Sequence, residues 1–345
     1  MRSRGRVVNN TGYQRMKELI WGLPEQLSTA WEIASSAPLP SESVIDQVIV
    51  GAMGGSAMGA DIVRSILEAE GGRWLTVVRD YSLPAGISEQ TLILTISYSG
   101  NTEETLAVYD AAIKQRAKVV VVTSGGKLAE KAQQGGVPLI LIPGGMPPRC
   151  AIGLMSVAIL VVLNRLGRCR SFLPDIRETG RLVRRNLSAW HRWAVRLSRK
   201  IADRFIIVYS TSRLLDTAAY RLQCQLNENA KMLAHWGTLP EASHNEIMGF
   251  GSPLFLDGKV AVIALVDPTS HSRTLVRLGQ MLKLIRGTIV ENVQLESAGR
   301  SGCARLFSQV VRGDLLSIEL ARRRNVDPMV IPKIDRLKLV LAQKR

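Results

Sequence analysis

Two kinds of hydrophobic pattern alternate along the chain. Short runs of apolar, mostly β-branched residues are typical of buried strands, and longer stretches with apolar residues every three to four positions are typical of helices. The runs predicted to be strands fall at residues 44–51, 74–78, 91–96, 117–123, 137–143, 205–209, 259–267 and 289–295. Helical stretches separate most of these runs, which predicts parallel sheets joined by right-handed crossovers. The expected fold class is therefore α/β.

The same pattern predicts two doubly wound domains with parallel sheets flanked by helices, which suits a chain of 345 residues. Helical periodicity over residues 10–38, ended by two prolines, predicts one or two helices outside the first sheet. An arginine-rich stretch over 165–204 predicts amphipathic connecting helices. We expect a first domain over 1–165, linker helices over 166–203, and a second domain over 204–345 that lacks the hydroxyl-rich loop of the first.

Composition and charge narrow the possible partners. The chain is 46% hydrophobic and 21% charged, as expected of a folded protein, and it carries a net charge of +16. That charge would suit nucleic acid, a membrane surface or a small anion. No arginine-rich tail, zinc-ligand spacing or RNA-binding aromatic signature accompanies it, so we favour a small anionic substrate over nucleic acid.

Other features predict a cytoplasmic protein that needs no metal and no cofactor. The apolar stretch 154–163 is about half as long as a membrane span and predicts a buried helix. No apolar signal-peptide core follows the basic N-terminus, so no membrane partner is expected. The cysteines have neither metal-ligand nor disulfide-framework spacing. They are Cys150, Cys169, Cys224 and Cys303.

The stretch from Thr91 to Thr105 carries the clearest chemical signal. A buried run is followed by Ser97-Tyr-Ser-Gly-Asn-Thr102 and then by a helical pattern, so Ser97, Ser99 and Thr102 lie in a strand-to-helix turn. The first N–H groups of a helix have no intrahelical partner and carry the positive end of the helix dipole. Such a turn can bind a phosphate. The alternative is an ordinary turn with a serine or threonine cap.

A second turn, Gly54-Gly55-Ser56, follows the first strand. Its resemblance to a dinucleotide fingerprint is superficial, because no acidic residue ends the next strand convincingly. Both turns follow the carboxyl ends of strands, so we expect them to form two walls of one anion site, unless the second is a simple tight turn. Arg149 follows two prolines and precedes the buried helix, and we expect it to face the ligand anion rather than solvent.

Candidate acid–base residues lie in the second half. Glu228 falls between two asparagines in a predicted helix, where a partly buried carboxylate could act as a general base. His244 lies in a polar segment with Glu241, Asn245 and Glu246. No second histidine or cysteine stands at metal-ligand spacing, so we favour an acid–base role with Glu228 over a metal site. The alternatives are a surface glutamate and a structural histidine.

These segments together resemble a known family. The loop Ser97–Thr105 is similar to the phosphosugar loop of the sugar isomerase (SIS) domain family. With the other segments, the chain resembles the archaeal-type bifunctional phosphoglucose/phosphomannose isomerases over nearly its whole length. The segments that carry the resemblance are Gly54-Gly-Ser56, Ser97-Tyr-Ser-Gly-Asn-Thr102, Met146-Pro-Pro-Arg149, Asn227-Glu-Asn229, Pro240-Glu-Ala-Ser-His-Asn-Glu246 and Ile331-Pro-Lys333.

The resemblance implies two SIS-type domains and a metal-independent isomerase. It would interconvert glucose 6-phosphate and mannose 6-phosphate with fructose 6-phosphate through an enediol. In that family pattern Glu228 would move the proton between C1 and C2, His244 would help to open the sugar ring, Lys333 would assist, and Arg149 would stabilise the enediolate.

The resemblance also implies the phosphate site and the assembly. The residues that would hold the phosphate are Gly54, Gly55, Ser56, Ser97, Ser99 and Thr102. The family pattern implies a homodimer with shared active sites, in which the neighbouring subunit supplies His244. The alternative function is an SIS-domain phosphosugar-binding regulatory module. Such a module would need a DNA-binding or effector element, and the arginine-rich stretch 165–204 leaves that reading open.

Overall fold

The computed structural model describes residues 11–40, 44–72 and 75–343, so Trp74 of the second predicted strand lies outside the described residues. Eleven helices and nine strands are described. They are α1 Thr11–Trp21, α2 Leu23–Ser36, β1 Gln47–Ala52, α3 Gly54–Ala69, β2 Leu75–Val78, β3 Thr91–Ser97, α4 Glu103–Lys114, β4 Lys118–Thr123, α5 Gly126–Gln134, β5 Leu139–Leu141, α6 Ile152–Arg165, α7 Leu173–Ile201, β6 Phe205–Ser210, α8 Arg213–Glu228, β7 Ala234–Thr238, β8 Val260–Val266, α9 Ser272–Leu284, β9 Ile289–Glu296, α10 Gly302–Arg323 and α11 Pro332–Ala342.

Packing divides the described chain into two compact units. The N-unit comprises residues 22–185 and 298–308, and the C-unit comprises residues 11–21, 186–297 and 309–343. The stretch for which connecting helices were expected is occupied mainly by the 29-residue helix α7. The predicted boundaries at residues 165 and 203 stay a prediction.

The N-unit is built around a five-stranded parallel sheet with strand order β2-β1-β3-β4-β5. The strands are short apolar runs because both faces are covered by helices. On one face, Ile49, Ile93 and Val121 pack with Val108 of α4 and Leu128 of α5, and all five are buried. The predicted strands and helices of this half are therefore confirmed.

The predicted buried helix at 154–163 is α6. Every residue from Ile152 to Leu163 is buried, and the helix packs against α2 and α3. Its apolar surface is covered by protein on all sides, which explains a run of apolar residues without helical periodicity. None of the helices in the described ranges has the length and apolarity required to cross a bilayer.

The C-unit contains a four-stranded parallel sheet with strand order β7-β6-β8-β9. The core on one face gathers Tyr209, Val262 and Leu278. The α/β class with two parallel sheets flanked by helices is thus confirmed. Strand β7, Ala-His-Trp-Gly-Thr, was not predicted because it has no apolar run, and it forms as an edge strand by pairing with Ile206–Ser210 of β6.

Candidate active site

The two predicted anion-binding turns meet at the carboxyl edge of the N-unit sheet. Strands β1 and β3 are neighbours, so the turns that follow them lie side by side. The backbone N–H of Tyr98 donates to Ser56 Oγ over 3.1 Å, and Ser97 Oγ lies 2.9 Å from Thr102 Oγ1. Ser56 and Ser97 are buried, whereas Ser99 is exposed at the tip. The structure therefore brings these hydroxyls to one place.

Gly100 allows a third turn to support the predicted loop. Its φ is +69°, and an added Cβ would lie 1.7 Å from the carbonyl oxygen of Gly125, so only glycine fits this close approach. Leu128 N donates to Gly100 O over 2.9 Å, and Lys127 N donates to Asn101 Oδ1 over 3.2 Å. The turn between β4 and α5 thus fixes the anion loop from outside. The signal that could have identified it is the pair of glycines, Gly125 and Gly126, one residue after the end of strand β4.

Arg149 is buried in a short 3₁₀ turn, Pro148–Cys150, that packs on the start of α3. A Cβ on Gly55 would lie 2.8 Å from the backbone nitrogen of Arg149, so glycine permits this contact. Gln26 of α2 donates to the carbonyl oxygen of Cys150 over 2.8 Å. The turn is therefore held from two sides, and the structure places Arg149 next to the Gly54–Ser56 turn.

Tyr98 connects the anion loop to the segment that carries Arg149, a role that the sequence analysis missed. Its hydroxyl donates to the carbonyl oxygen of Pro143 over 3.0 Å and accepts from Met146 N over 3.3 Å. Burial raises the pKa of Tyr98, so the phenol stays protonated and remains a donor. A tyrosine amid the loop hydroxyls was the available signal, but its partners lie 45 or more residues away in sequence.

In the C-unit, Glu228 is the last residue of α8 and is half-buried. The helix stops here because the chain turns sharply, with Lys231 in a left-handed conformation at φ +56°. The neighbouring Asn229 is fully buried, and its Nδ2 donates to Ser317 Oγ of α10 over 2.9 Å. Asn229 is therefore a structural residue, and it fixes the end of the helix on which Glu228 lies.

Lys231 joins the Glu228 segment to the segment that leads into α11. Its Nζ donates to the carbonyl oxygens of Asp327 and Val330 over 3.0 and 2.7 Å. Lys333 follows in the first turn of α11 and is exposed. The structure thus ties the main chain around Glu228 to the main chain just before Lys333, through a lysine that the sequence analysis did not select.

His244 lies on a separate short turn, Glu241–His244, and is exposed. Among the described residues its ring has no hydrogen-bond or ion-pair partner, so it does not hydrogen-bond to Glu228 within this chain. The predicted site residues thus fall into two groups, one in each unit. The phosphate-binding residues and Arg149 belong to the N-unit, and Glu228, His244 and Lys333 belong to the C-unit.

The C-unit does contain hydroxyl groups at the carboxyl edge of its sheet, but they surround a carboxylate. Ser212 Oγ donates to Asp267 Oδ2 over 3.0 Å, and Thr269 Oγ1 donates to Asp267 Oδ1 over 2.9 Å. The backbone N–H of Asp267 donates to Thr211 Oγ1, and Asp267 is 1% exposed. The expectation that this domain lacks a hydroxyl-rich loop is therefore wrong. The hydroxyls are present, but the anion to which they donate is the carboxylate of Asp267 in the same chain.

Neither a candidate metal site nor a cavity coincides with these residues in the described part of the chain. Among the described residues no group of three or more histidine, cysteine, aspartate or glutamate side chains could hold a metal ion. A cavity of about 360 Å³ in the N-unit lies between α2 and α7 and includes Trp31 and Arg181 in its lining. None of the predicted phosphate-binding residues lines that cavity, so it is not the predicted site.

Comparison with known proteins gives the family. Residues 191–341 match the family model of the bacterial phospho-glucose isomerase C-terminal SIS domain. A bifunctional phosphoglucose/phosphomannose isomerase of Caldicellulosiruptor bescii is 34% identical over 336 residues, which are 95% of this chain and 99% of that protein. This chain belongs to the bifunctional phosphoglucose/phosphomannose isomerase family. The family resemblance inferred from the motifs is confirmed, and so is the expectation of an isomerase enzyme.

Two further proteins are similar to this chain. A D-glucosamine-6-phosphate 4-epimerase of Sulfolobus acidocaldarius is 28% identical over 242 residues, which are 70% of this chain and 72% of that protein. The structure of the C-terminal domain of a glucosamine-fructose-6-phosphate aminotransferase from Francisella tularensis aligns with a TM-score of 0.70 at 15% identity. That alignment covers 90% of this chain and 96% of the other, and it shows that the two share a fold.

Proposed function

We propose that this member of the bifunctional phosphoglucose/phosphomannose isomerase family interconverts glucose 6-phosphate and mannose 6-phosphate with fructose 6-phosphate. The observation that carries the proposal is the 34% identity to a protein of that name over 95% of this chain. The geometry of the N-unit supports a phosphorylated substrate, because buried and exposed hydroxyls converge with helix-start N–H groups at one sheet edge.

In this proposal the phosphate is held in the N-unit. Gly54, Gly55 and Ser56 form one wall of the cradle, and Ser97, Ser99 and Thr102 form the other. Backbone and hydroxyl donors bind the phosphate, and the loop contains no lysine. The affinity for phosphate therefore depends on hydrogen bonds more than on net charge. A firmly held phosphate fixes C1 and C2 of the sugar relative to the base.

The proposed chemistry is one proton moved between two adjacent carbons. The carboxylate of Glu228 removes the C2 proton of the open-chain aldose, the electrons of that bond form a C1–C2 double bond, and the carbonyl electrons move onto O1 to give the enediolate. The hydroxyl proton of O2 then passes to O1, Glu228 returns the carbon-bound proton to C1, and O2 becomes the carbonyl oxygen of fructose 6-phosphate. The Arg149 guanidinium stabilises the negative oxygen, an effect worth roughly 3–4 kcal/mol for a well-placed donor. His244 helps to open the ring, and Lys333 assists.

Both aldoses can serve because they differ only at C2. The enediol has no stereochemistry at C2, and rotation about C2–C3 lets the same base act on the other face. We further propose that the working form is a homodimer with shared active sites, in which the neighbouring subunit supplies His244. The exposure of His244 and its lack of a side-chain partner among the described residues support this part of the proposal. A cytoplasmic location, with no membrane or nucleic-acid partner, stays a prediction.

The deciding experiment uses coupled assays with glucose 6-phosphate and mannose 6-phosphate, each with and without a chelator. We expect turnover of both and no effect of the chelator. In Glu228→Gln, we expect turnover to fall by roughly 10²–10⁴-fold while phosphosugar binding, measured by calorimetry, stays within twofold. Unchanged turnover in Glu228→Gln would refute the mechanism. Absence of turnover of both substrates by the wild-type protein would refute the function.

One relative favours a second candidate, an epimerase acting on an amino sugar phosphate. The Sulfolobus acidocaldarius protein is a D-glucosamine-6-phosphate 4-epimerase and matches 70% of this chain. Incubation of the wild type with glucosamine 6-phosphate, followed by proton NMR of H4, separates the two candidates. Inversion at C4 of glucosamine 6-phosphate, with no conversion of glucose 6-phosphate or mannose 6-phosphate, would favour the epimerase. A DNA gel shift at physiological salt would instead revive the regulatory module.

A further inference from the structure

His244 depends on its own segment for its position. The ring has no hydrogen-bond partner among the described residues, so no hydrogen bond of its own fixes it and its place depends on the backbone on either side. That backbone runs through irregular 3₁₀ turns, Glu241–His244 and Glu246–Gly249, rather than through a helix or strand. Such a segment has few internal hydrogen bonds to hold it, so its position must come from contacts to the rest of the C-unit.

Glu246, two residues after His244, makes the contacts to the sheet. Its Oε2 accepts from the Tyr209 hydroxyl of β6 over 2.9 Å and lies 3.0 Å from His235 Nε2 of β7. Tyr209 is a core residue that is 1% exposed. One carboxylate therefore connects the His244 segment to two neighbouring strands of the C-unit sheet.

The chain leaves room for this carboxylate. A Cβ on Gly237 of β7 would lie 2.7 Å from Glu246 Oε1, so a larger residue would push the carboxylate away from the strands. Burial and the charge of Glu246 raise the pKa of Tyr209, so the phenol keeps its proton and keeps donating. Tyr209 and Gly237 together hold the Glu246 carboxylate in one position on the sheet.

The segment has weaker contacts on the other side of His244. Ser243 Oγ accepts from Arg277 Nη1 of α9 over 3.3 Å, and Ala242 is buried in the core. Asn245 caps the turn by accepting from the N–H of Glu246, and it donates to the exposed Glu241 over 3.1 Å. Glu246 is thus the acidic side chain of this segment that reaches the sheet, whereas Glu241 bonds only within the segment.

We propose that Glu246 is a positioning residue for His244, held in place by Tyr209 and His235. This inference rests on the proposed function, because it takes His244 to act in the ring-opening step. Loss of the contacts that Glu246 makes with Tyr209 and His235 lets the segment shift relative to the sheet. A shift of about 1 Å in a catalytic group can lower the rate about 10²-fold. Substrate binding through the phosphate is unaffected.

The test compares Glu246→Ala, Glu246→Gln and the matched control Glu241→Gln. We expect kcat to fall about 10²-fold in Glu246→Ala with KM within twofold, and partial recovery in Glu246→Gln, which keeps an acceptor for Tyr209. Glu241→Gln, which keeps an acceptor for Asn245, should match the wild type. Exchange NMR of the fructose 6-phosphate anomers should show ring opening slowed in parallel with kcat. An unchanged kcat in Glu246→Ala would refute the proposal, as would a loss confined to KM.

A second measurement separates this inference from the proposed function. Hydrogen exchange of the amides at residues 241–249, followed by mass spectrometry, needs no turnover. We expect faster exchange there in Glu246→Ala and no change in Glu241→Gln. If the wild-type protein has no isomerase activity and Glu246→Ala still shows faster exchange, the proposed function is refuted and only the structural anchor remains. If the wild-type protein is an active isomerase but exchange at residues 241–249 is unchanged in Glu246→Ala, the anchoring role of Glu246 is refuted. If Glu246→Ala does not fold, Tyr209→Phe, which removes one donor, is tested by the same two measurements.

Discussion

The Nζ of Lys231 donates a 2.7 Å hydrogen bond to the carbonyl oxygen of Val330, a residue 99 positions away in sequence. A second bond reaches the carbonyl oxygen of Asp327. These bonds hold the chain just before Lys333 against the turn that follows Glu228. A half-buried lysine thus ties together two segments to which the proposed mechanism assigns different steps.

Lys231→Met should therefore weaken both stability and activity. Methionine keeps most of the apolar stem but leaves the carbonyl oxygens without a donor. Losing charge-assisted bonds of this kind costs about 1.5–3 kcal/mol, which urea unfolding would detect. We also expect kcat to fall severalfold, because the segment before Lys333 is released. The control is Lys338→Met, which changes an exposed lysine on α11 and should leave both quantities unchanged.

Glu319 should make the stability of the C-unit depend on pH. This fully buried carboxylate accepts hydrogen bonds from Tyr13 and from Arg322 Nε over 2.9 Å, and lies 2.8 Å from His191 Nε2. Burial alone would raise the pKa of Glu319, but these bonds outweigh it and lower the pKa. A lowered carboxyl pKa stabilises the fold at neutral pH. That stabilisation is lost as pH falls through the folded-state pKa.

We expect Glu319→Gln to lose about 1.5–3 kcal/mol of unfolding free energy at neutral pH. The difference from the wild type should shrink as pH falls below the usual range of glutamate, as measured by urea unfolding at several pH values. The matched control is Glu25→Gln, which removes an exposed ion pair with Arg184 and should cost less than about 1 kcal/mol. A difference that is constant with pH would contradict the charged state assigned to Glu319.

Asp267 should be required for the stability of the C-unit rather than for substrate binding. Three donors are directed at its carboxylate, from Ser212 Oγ and from the hydroxyl and N–H of Thr269. Asp267→Asn removes the charge and points an NH₂ group at one of these donors. We expect a loss of about 1–3 kcal/mol in unfolding free energy with an unchanged KM. Asp257→Asn, at an exposed position, should be silent, and a raised KM in Asp267→Asn would place the residue in a binding site instead.

Gly100→Ala should impair the phosphate cradle. The new Cβ would lie 1.7 Å from the carbonyl oxygen of Gly125 and would require φ +69°, so the loop must move away from its support. We expect KM for the phosphosugars to rise at least tenfold. Gly86→Ala is the matched control, because Gly86 also has a positive φ, +84°, but has open space around it. It should cost only about 1–2 kcal/mol of stability, with KM unchanged.

The local pattern of the sequence was enough to predict eight of the nine described strands and the strand–turn–helix units that carry the predicted anion site. A buried apolar run followed by hydroxyl residues and a helical period has one main solution, a strand, a turn and a helix, and this determined where Ser97 and Thr102 lie. Parallel strands place their carboxyl ends at one edge, so the meeting of that turn with Ser56 also followed from the sequence. Strand β7 did not, because its five residues become a strand only by pairing with β6.

Contacts between distant residues were decided by the tertiary structure alone. Tyr209 and Glu246 are 37 positions apart, and Lys231 and Val330 are 99 apart, and nothing in the spacing of residues marks them as partners. The hydroxyls around Asp267 show the same point, because the side chains that suggest an anion site also serve to satisfy a buried carboxylate. A side chain's type is set by the sequence, but its partner is set by which elements the packed sheets bring within hydrogen-bonding distance.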